Sequence, residues 1–148
     1  MVRVAPSMVS QAVSNTVWAY ATLGLTLGAE AQAVLEVAVL RVGPGMVPQH
    51  LSNTVWSYAT LGLIPGAEAR AALEAAVVRV APSMVSQAVS NIAWAYATLG
   101  LIPGDEARTV LDAAAARVAT VMTAQALSTT LWSFLALAAT RGVPPPVC

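Results

Sequence analysis

Apolar and polar positions along the chain follow a helical period, and that pattern itself recurs. Between Gln49 and Gly62, the residues Leu51, Val55, Tyr58 and Gly62 fall at i, i+4, i+7 and i+11, the spacing of one helix face. Gln49, Asn53, Trp56 and Thr60 take the same spacing on the opposite side, a polar stripe on a helix that is apolar elsewhere. A first helix is therefore predicted from Gln49 to Leu61, and a second from about Gly66 to Val80 with Ala69, Leu73, Ala76 and Val80 as its apolar face. The two apolar faces are expected to pack on each other. Pro48 suits the first helical position, where its missing N–H costs nothing. Ser10 and Ser86 stand at the same place and are expected as N-caps. Gly62 offers a left-handed stop, Pro65 is expected to open the second helix, and Pro82 to end it.

The same elements return every 38 residues. Trp18, Trp56, Trp94 and Trp132 keep that interval, as do Gln11, Gln49, Gln87 and Gln125, and Ser14, Ser52, Ser90 and Ser128. Asn15, Asn53 and Asn91 follow it, with Thr129 in the fourth place. A strict period of this length marks a tandem repeat. The predicted fold class is all-α: an α-solenoid of 38-residue helix-turn-helix units, each packed only on its neighbours. Residues 1–4 read as the end of a preceding unit, 5–42, 43–80 and 81–118 as three full units, and 119–148 as a partial fourth with a proline-rich tail. Units without polar caps at either end are expected to expose apolar surface and to self-associate end to end.

Composition narrows the function. Seven arginines balance seven acidic residues and lysine is absent, so the net charge is zero. That offers no long-range attraction to a polyanion unless the arginines gather on one face. Mean hydropathy is +0.70, yet the charge-free runs, such as Val42 to Ala67, carry Gln, Ser or Thr and interior Gly or Pro, and alanine supplies much of the apolar count. A packed Ala-rich helical array fits these better than a membrane bundle. The single cysteine, Cys148, forms no disulfide framework. No basic segment followed by an apolar one opens the chain, so any targeting peptide is expected to lie outside it.

Catalytic chemistry finds little to work with. His50 is the one histidine, and the carboxylates are spread at repeat intervals, so no catalytic constellation, metal cluster or cofactor loop is expected. Glu30, Glu68 and Glu106 fall in the first turn of each second helix and Arg41, Arg79 and Arg117 in the last, where each sign suits the helix dipole. Arg70 with Glu74, and Arg108 with Asp112, are expected as i, i+4 pairs worth ~0.3 kcal/mol each. Arg3, Arg41, Arg79 and Arg117 also recur once per unit, and regular stacking would set them along one edge at ~10 Å intervals, able to meet successive phosphates. The tryptophans are expected as inter-unit core rather than base-stacking platforms. Two readings of the amides stay open: a ladder bonding neighbouring units, or a row of donors and acceptors along a groove.

The segment Leu51-Ser52-Asn53-Thr54-Val55-Trp56-Ser57-Tyr58-Ala59-Thr60-Leu61-Gly62, set in a 38-residue two-helix unit, resembles the octotricopeptide repeat. The resemblance covers almost the whole chain. It implies a right-handed α-solenoid that binds single-stranded RNA, in factors for transcript stability, processing or translation in the chloroplast or mitochondrion. By like position, Gln11, Asn15, Gln49, Asn53, Gln87, Asn91 and Gln125 become candidate RNA contacts, with His50 at a position that varies between units and Arg41, Arg79 and Arg117 as phosphate partners. A protein-interaction scaffold using the same groove is one alternative, favoured by the neutral charge, and a fragment with a structural role only is another.

Overall fold

A computed structural model describes the backbone of residues 10–139 and the side chains of residues 11–136. Arg3, the short segment 1–4, the prolines at 144–146 and Cys148 lie outside the described residues. Within them there are seven α-helices and no strand, so the chain is all-α. The odd helices α1 (Ser10–Thr22), α3 (Pro48–Leu61), α5 (Ser86–Leu99) and α7 (Ala124–Ala139) begin 38 residues apart. So do the even helices α2 (Ala29–Val42), α4 (Ala67–Val80) and α6 (Asp105–Val118). Odd helices pack in series, α1 on α3, α3 on α5 and α5 on α7, and α2, α4 and α6 form a second row behind them. The core lies between the rows, where Leu51, Val55 and Tyr58 join Ala69, Leu73, Ala76 and Val80, all buried. Among the described residues no helix is long and apolar enough to cross a membrane.

Turn chemistry sets the helix ends. Gly62 takes φ +69°, and its N–H donates to the Ala59 carbonyl while Leu63 N–H donates to Tyr58, which closes the α3 carbonyl end in a Schellman arrangement. Gly24 and Gly100 repeat this at φ +68° and +67°. Two expected starts are corrected. Pro65 does not open the second helix: Gly66 is extended, its carbonyl accepts the first helical bond from Arg70 N–H, and α4 begins at Ala67. Nor is Ser86 a cap, because Val85 holds that place and Ser86 is the first helical residue, in register with Pro48. A hydroxyl cap is seen at Thr123, whose Oγ1 accepts from Ala126 N–H at 3.1 Å. Each even helix passes into a 3₁₀ turn, Gly43–Gly45, Ala81–Ser83 or Ala119–Val121, and Met46 and Met84 follow into the core.

Neighbouring units are joined by small residues and by charged clasps. Ser52, Thr54, Ser57, Ala88 and Ala95 are buried on the flanks of α3 and α5. Their size lets the helices approach, and the hydroxyls of Thr54 and Ser57 donate to their own helix at His50 O (2.7 Å) and Asn53 O (2.6 Å), so none is buried unsatisfied. Within a unit, Arg79 Nη2 donates to the carbonyls of Gly43 (3.1 Å) and Met46 (2.7 Å), which ties α4 to the turn that follows α2. Arg117 repeats the clasp on Ala81 (3.1 Å) and Met84 (2.8 Å). Glu36 Oε1 accepts the Gly66 N–H at 2.7 Å, which places a carboxylate at the start of α4 where the helix dipole favours it. Glu74 repeats this on Gly104 at 3.3 Å, and Arg70 Nη2 donates forward to Ile102 O at 2.8 Å.

The expected pair of Arg70 with Glu74 forms, at 3.8 Å. Arg108 and Asp112 form none, which corrects the second expected pair, and Arg108 Nη1 is buried without a hydrogen bond.

Candidate functional site

The polar stripe of each odd helix turns away from the even row, and neighbouring stripes border grooves. Between α3 and α5 runs a groove of about 290 Å³ lined by Gln49, Ser52, Asn53, Val85, Gln87, Ala88 and Asn91. Between α5 and α7 runs one of about 500 Å³, lined by Gln87, Asn91 and Gln125 with Ser86, Ser90, Thr123, Ala126, Thr129 and the tryptophans 56 and 94. Gln87 and Asn91 belong to both, so the two grooves form one surface. Five of the seven amides singled out in the sequence are thereby brought together. Gln11 and Asn15 are exposed at the same register of α1 and line neither groove.

None of these seven side-chain amides makes a hydrogen bond with another described residue. The ladder reading is not what the structure contains. The bonds between units are supplied by Glu36, Arg70, Glu74 and Ser90, and the amides keep their donors and acceptors for solvent or a ligand.

The expectation of tryptophans packed between units holds in part. Trp18 and Trp132 are 45% and 42% exposed, and Trp56 and Trp94 are half-buried. The latter two do touch across the unit boundary, with ring centroids 6.5 Å apart and planes tilted by 32°. Both also border the amides of the α5–α7 groove, and Trp94 packs against the core as well. The helical phase explains this: Trp56 lies on the arc of Gln49, Asn53 and Thr60, opposite Leu51.

His50 is half-buried and has a partner. Its counterparts Ala88 and Ala126 line the rear wall of the α3–α5 and α5–α7 grooves, so His50 holds that wall on the α1 side of α3. The arginines lie elsewhere. Arg79 and Arg117 are committed to the clasps, Arg41 also has a partner, and no arginine lines either groove. Arg117 instead borders a hollow with Pro82 and Ala113 on the even-helix side.

Sequence reasoning passed over Ser86, Ser90, Thr123 and Thr129 as groove residues. The signal was available in the 38-residue recurrence of Ser14, Ser52, Ser90 and Ser128, which shares the amide interval. Among the described residues no group of His, Cys, Asp and Glu is placed to hold a metal. The groove is thus an uncharged surface of amides, hydroxyls and indole rings. It suits a ligand with planar faces and paired donors and acceptors. No family model matches the chain, and no curated protein matches it. The likeness to the octotricopeptide repeat rests on the residues quoted for it.

Proposed function

We propose that the chain is a non-catalytic α-solenoid that binds single-stranded RNA along the groove of its odd helices. The observation that carries this reading is the row of unbonded amides, Gln49, Asn53, Gln87, Asn91 and Gln125, beside Trp56 and Trp94. Amides present donor and acceptor together and pair with base edges, and helical-repeat proteins read single strands at one base per unit. An aromatic face under a base is worth ~1–3 kcal/mol. Four units engage up to about four nucleotides, a short footprint of low affinity. By the resemblance, the RNA is a transcript of the chloroplast or mitochondrion, and binding serves its stability, processing or translation.

The grooves lack arginine, so binding rests on bases more than on phosphates and weakens little with salt. The test is a fluorescence-anisotropy titration against randomised short RNA at two salt concentrations. Saturable binding of single strands with a shallow salt slope supports the reading, and no binding by a chain lengthened with further units sinks it. The same uncharged groove, with Val85 exposed at its rim, favours a second reading as a protein-interaction scaffold. That reading expects no RNA binding at either salt concentration.

A further inference from the structure

Each odd helix has a forward flank and a rear flank, and every internal junction joins one of each. In α3 the forward flank carries Ser52, Val55 and Ala59, all buried; Ser52 and Val55 line spaces shared with Ala88 and Ala95 of α5. In α7 the same register carries Ser128, Leu131 and Leu135, and all three are exposed, Leu131 at 55%. The rear flank of α1, with Ala12, Thr16 and Ala19, is half-buried where its α5 counterparts Ala88, Ile92 and Ala95 are fully buried.

We infer that a second copy of this chain seats the rear flank of its α1 on the forward flank of α7, so that copies join head to tail. The register identifies the occupant. Three internal junctions already hold a rear flank on a forward flank, and the new contact continues that series. The segments Ser10–Gly24 and Ser86–Gly100 differ only at Thr16/Ile92 and Val17/Ala93, so α1 offers nearly the surface that α3 already holds in α5. Leu131 and Leu135 stand where α3 has Val55 and Ala59. They give more apolar area to cover, and they also hold the helices farther apart, which makes the junction weaker than the internal ones. A contact between two different flanks does not close on itself, so it builds open chains of copies rather than a dimer.

Sedimentation of the full chain over about a hundredfold concentration range reads the contact. The weight-average mass is expected to rise past about twice the monomer without a plateau. Leu131→Arg at an already exposed position stops the growth and leaves the helical circular-dichroism signal and low-concentration melting unchanged; Leu135→Arg does the same. Ala12→Arg blocks the opposite flank. Neither the Leu131→Arg chain nor the Ala12→Arg chain grows alone, and mixing them gives a one-to-one dimer, because each keeps the flank that the other lost. Any of three results overturns the proposal: a chain monomeric across the range, an Ala12→Arg chain that dimerises by itself, or growth that both leucine variants leave unchanged.

Discussion

Asn53 separates binding from stability at a single position. Its backbone carbonyl accepts the Ser57 hydroxyl, while its side-chain amide touches no described hydrogen-bond partner and faces the groove. Asn53→Ala is therefore expected to hold the melting free energy to within ~0.5 kcal/mol, since no bond is lost and no cavity forms. RNA affinity in the same variant falls, which an anisotropy titration reads. Tyr58 is the opposite case. Its ring is fully buried and its hydroxyl has no partner. Burial, and then the Glu36 carboxylate, push the phenol pKa well above its ordinary value. The folded state thus holds this proton more tightly than the unfolded chain does. That contribution is complete below the unfolded value of about 10 and is lost as pH rises beyond it. Tyr58→Phe is expected to raise stability at neutral pH by ~1 kcal/mol, by removing an unsatisfied buried hydroxyl, and to move alkaline unfolding to higher pH. Phe134 already occupies this register in the fourth unit. Chemical denaturation at neutral and alkaline pH checks both shifts. At this scale the sequence was readable where phase decided the outcome. The i, i+4, i+7 positions separated Leu51 from Asn53 correctly. For Trp56 the same phase pointed to the polar side, and residue type, taken as a sign of packing between units, accounts only for its contact with Trp94.

Between helices, bonds made between residues far apart in the chain matter more than propensity. Arg79→Ala removes two hydrogen bonds to the turn that follows α2. Arg79 is exposed, so water replaces much of what is lost, and a cost of ~1 kcal/mol in urea unfolding is expected. Gly66→Ala strikes the other clasp. A methyl group there would come within 2.8 Å of Glu36 Oε2, so the carboxylate must leave the Gly66 N–H. Thermal melting is expected to fall in Gly66→Ala, and Glu36→Gln, which keeps an acceptor oxygen, is expected to fall less. The helices themselves were legible in the sequence, to within a residue at Pro48 and Ala67. Their starts were less so. Pro48 at the first helical position implied that Ser86, in the same register, also lies inside its helix rather than capping it. Pro65 misled because a proline before a helix fits two adjacent roles. What chooses between them is the Glu36 carboxylate, 30 residues away, and no local pattern contains it.

For the whole molecule, the pairing of rows makes stability depend on how many neighbours each unit has. Leu51, Tyr58 and Leu73 are closed in from both sides, whereas Leu131 and Leu135 are not. Inserting a second copy of Gly43 to Val80 after Val80 adds two internal junctions' worth of neighbours and removes one. The urea midpoint is expected to rise, because each added unit brings an interface with it. The 38-residue recurrence of helical patterns made the all-α class visible from the chain alone, and zero net charge was equally plain. What the chain could not supply was the destination of its arginines. Equal spacing along the sequence suggested a charged edge for phosphates, but a guanidinium that finds two backbone carbonyls within 3.1 Å is spent on tying its helix to the turn that opens its own unit.

The acceptors and donors that those clasps engage are all main-chain atoms: the carbonyls of Gly43, Met46 and Ile102, and the N–H of Gly66. A peptide group is the same whatever side chain it carries. A coding sequence with near-identical segments is prone to slip or recombine in register, gaining or losing a whole segment at a stroke. Here such an event delivers a chain whose new joint is already furnished on both sides. Length is then a trait that descendants inherit in steps of one segment, and the positions bordering the groove are free to diverge from copy to copy without disturbing the joints.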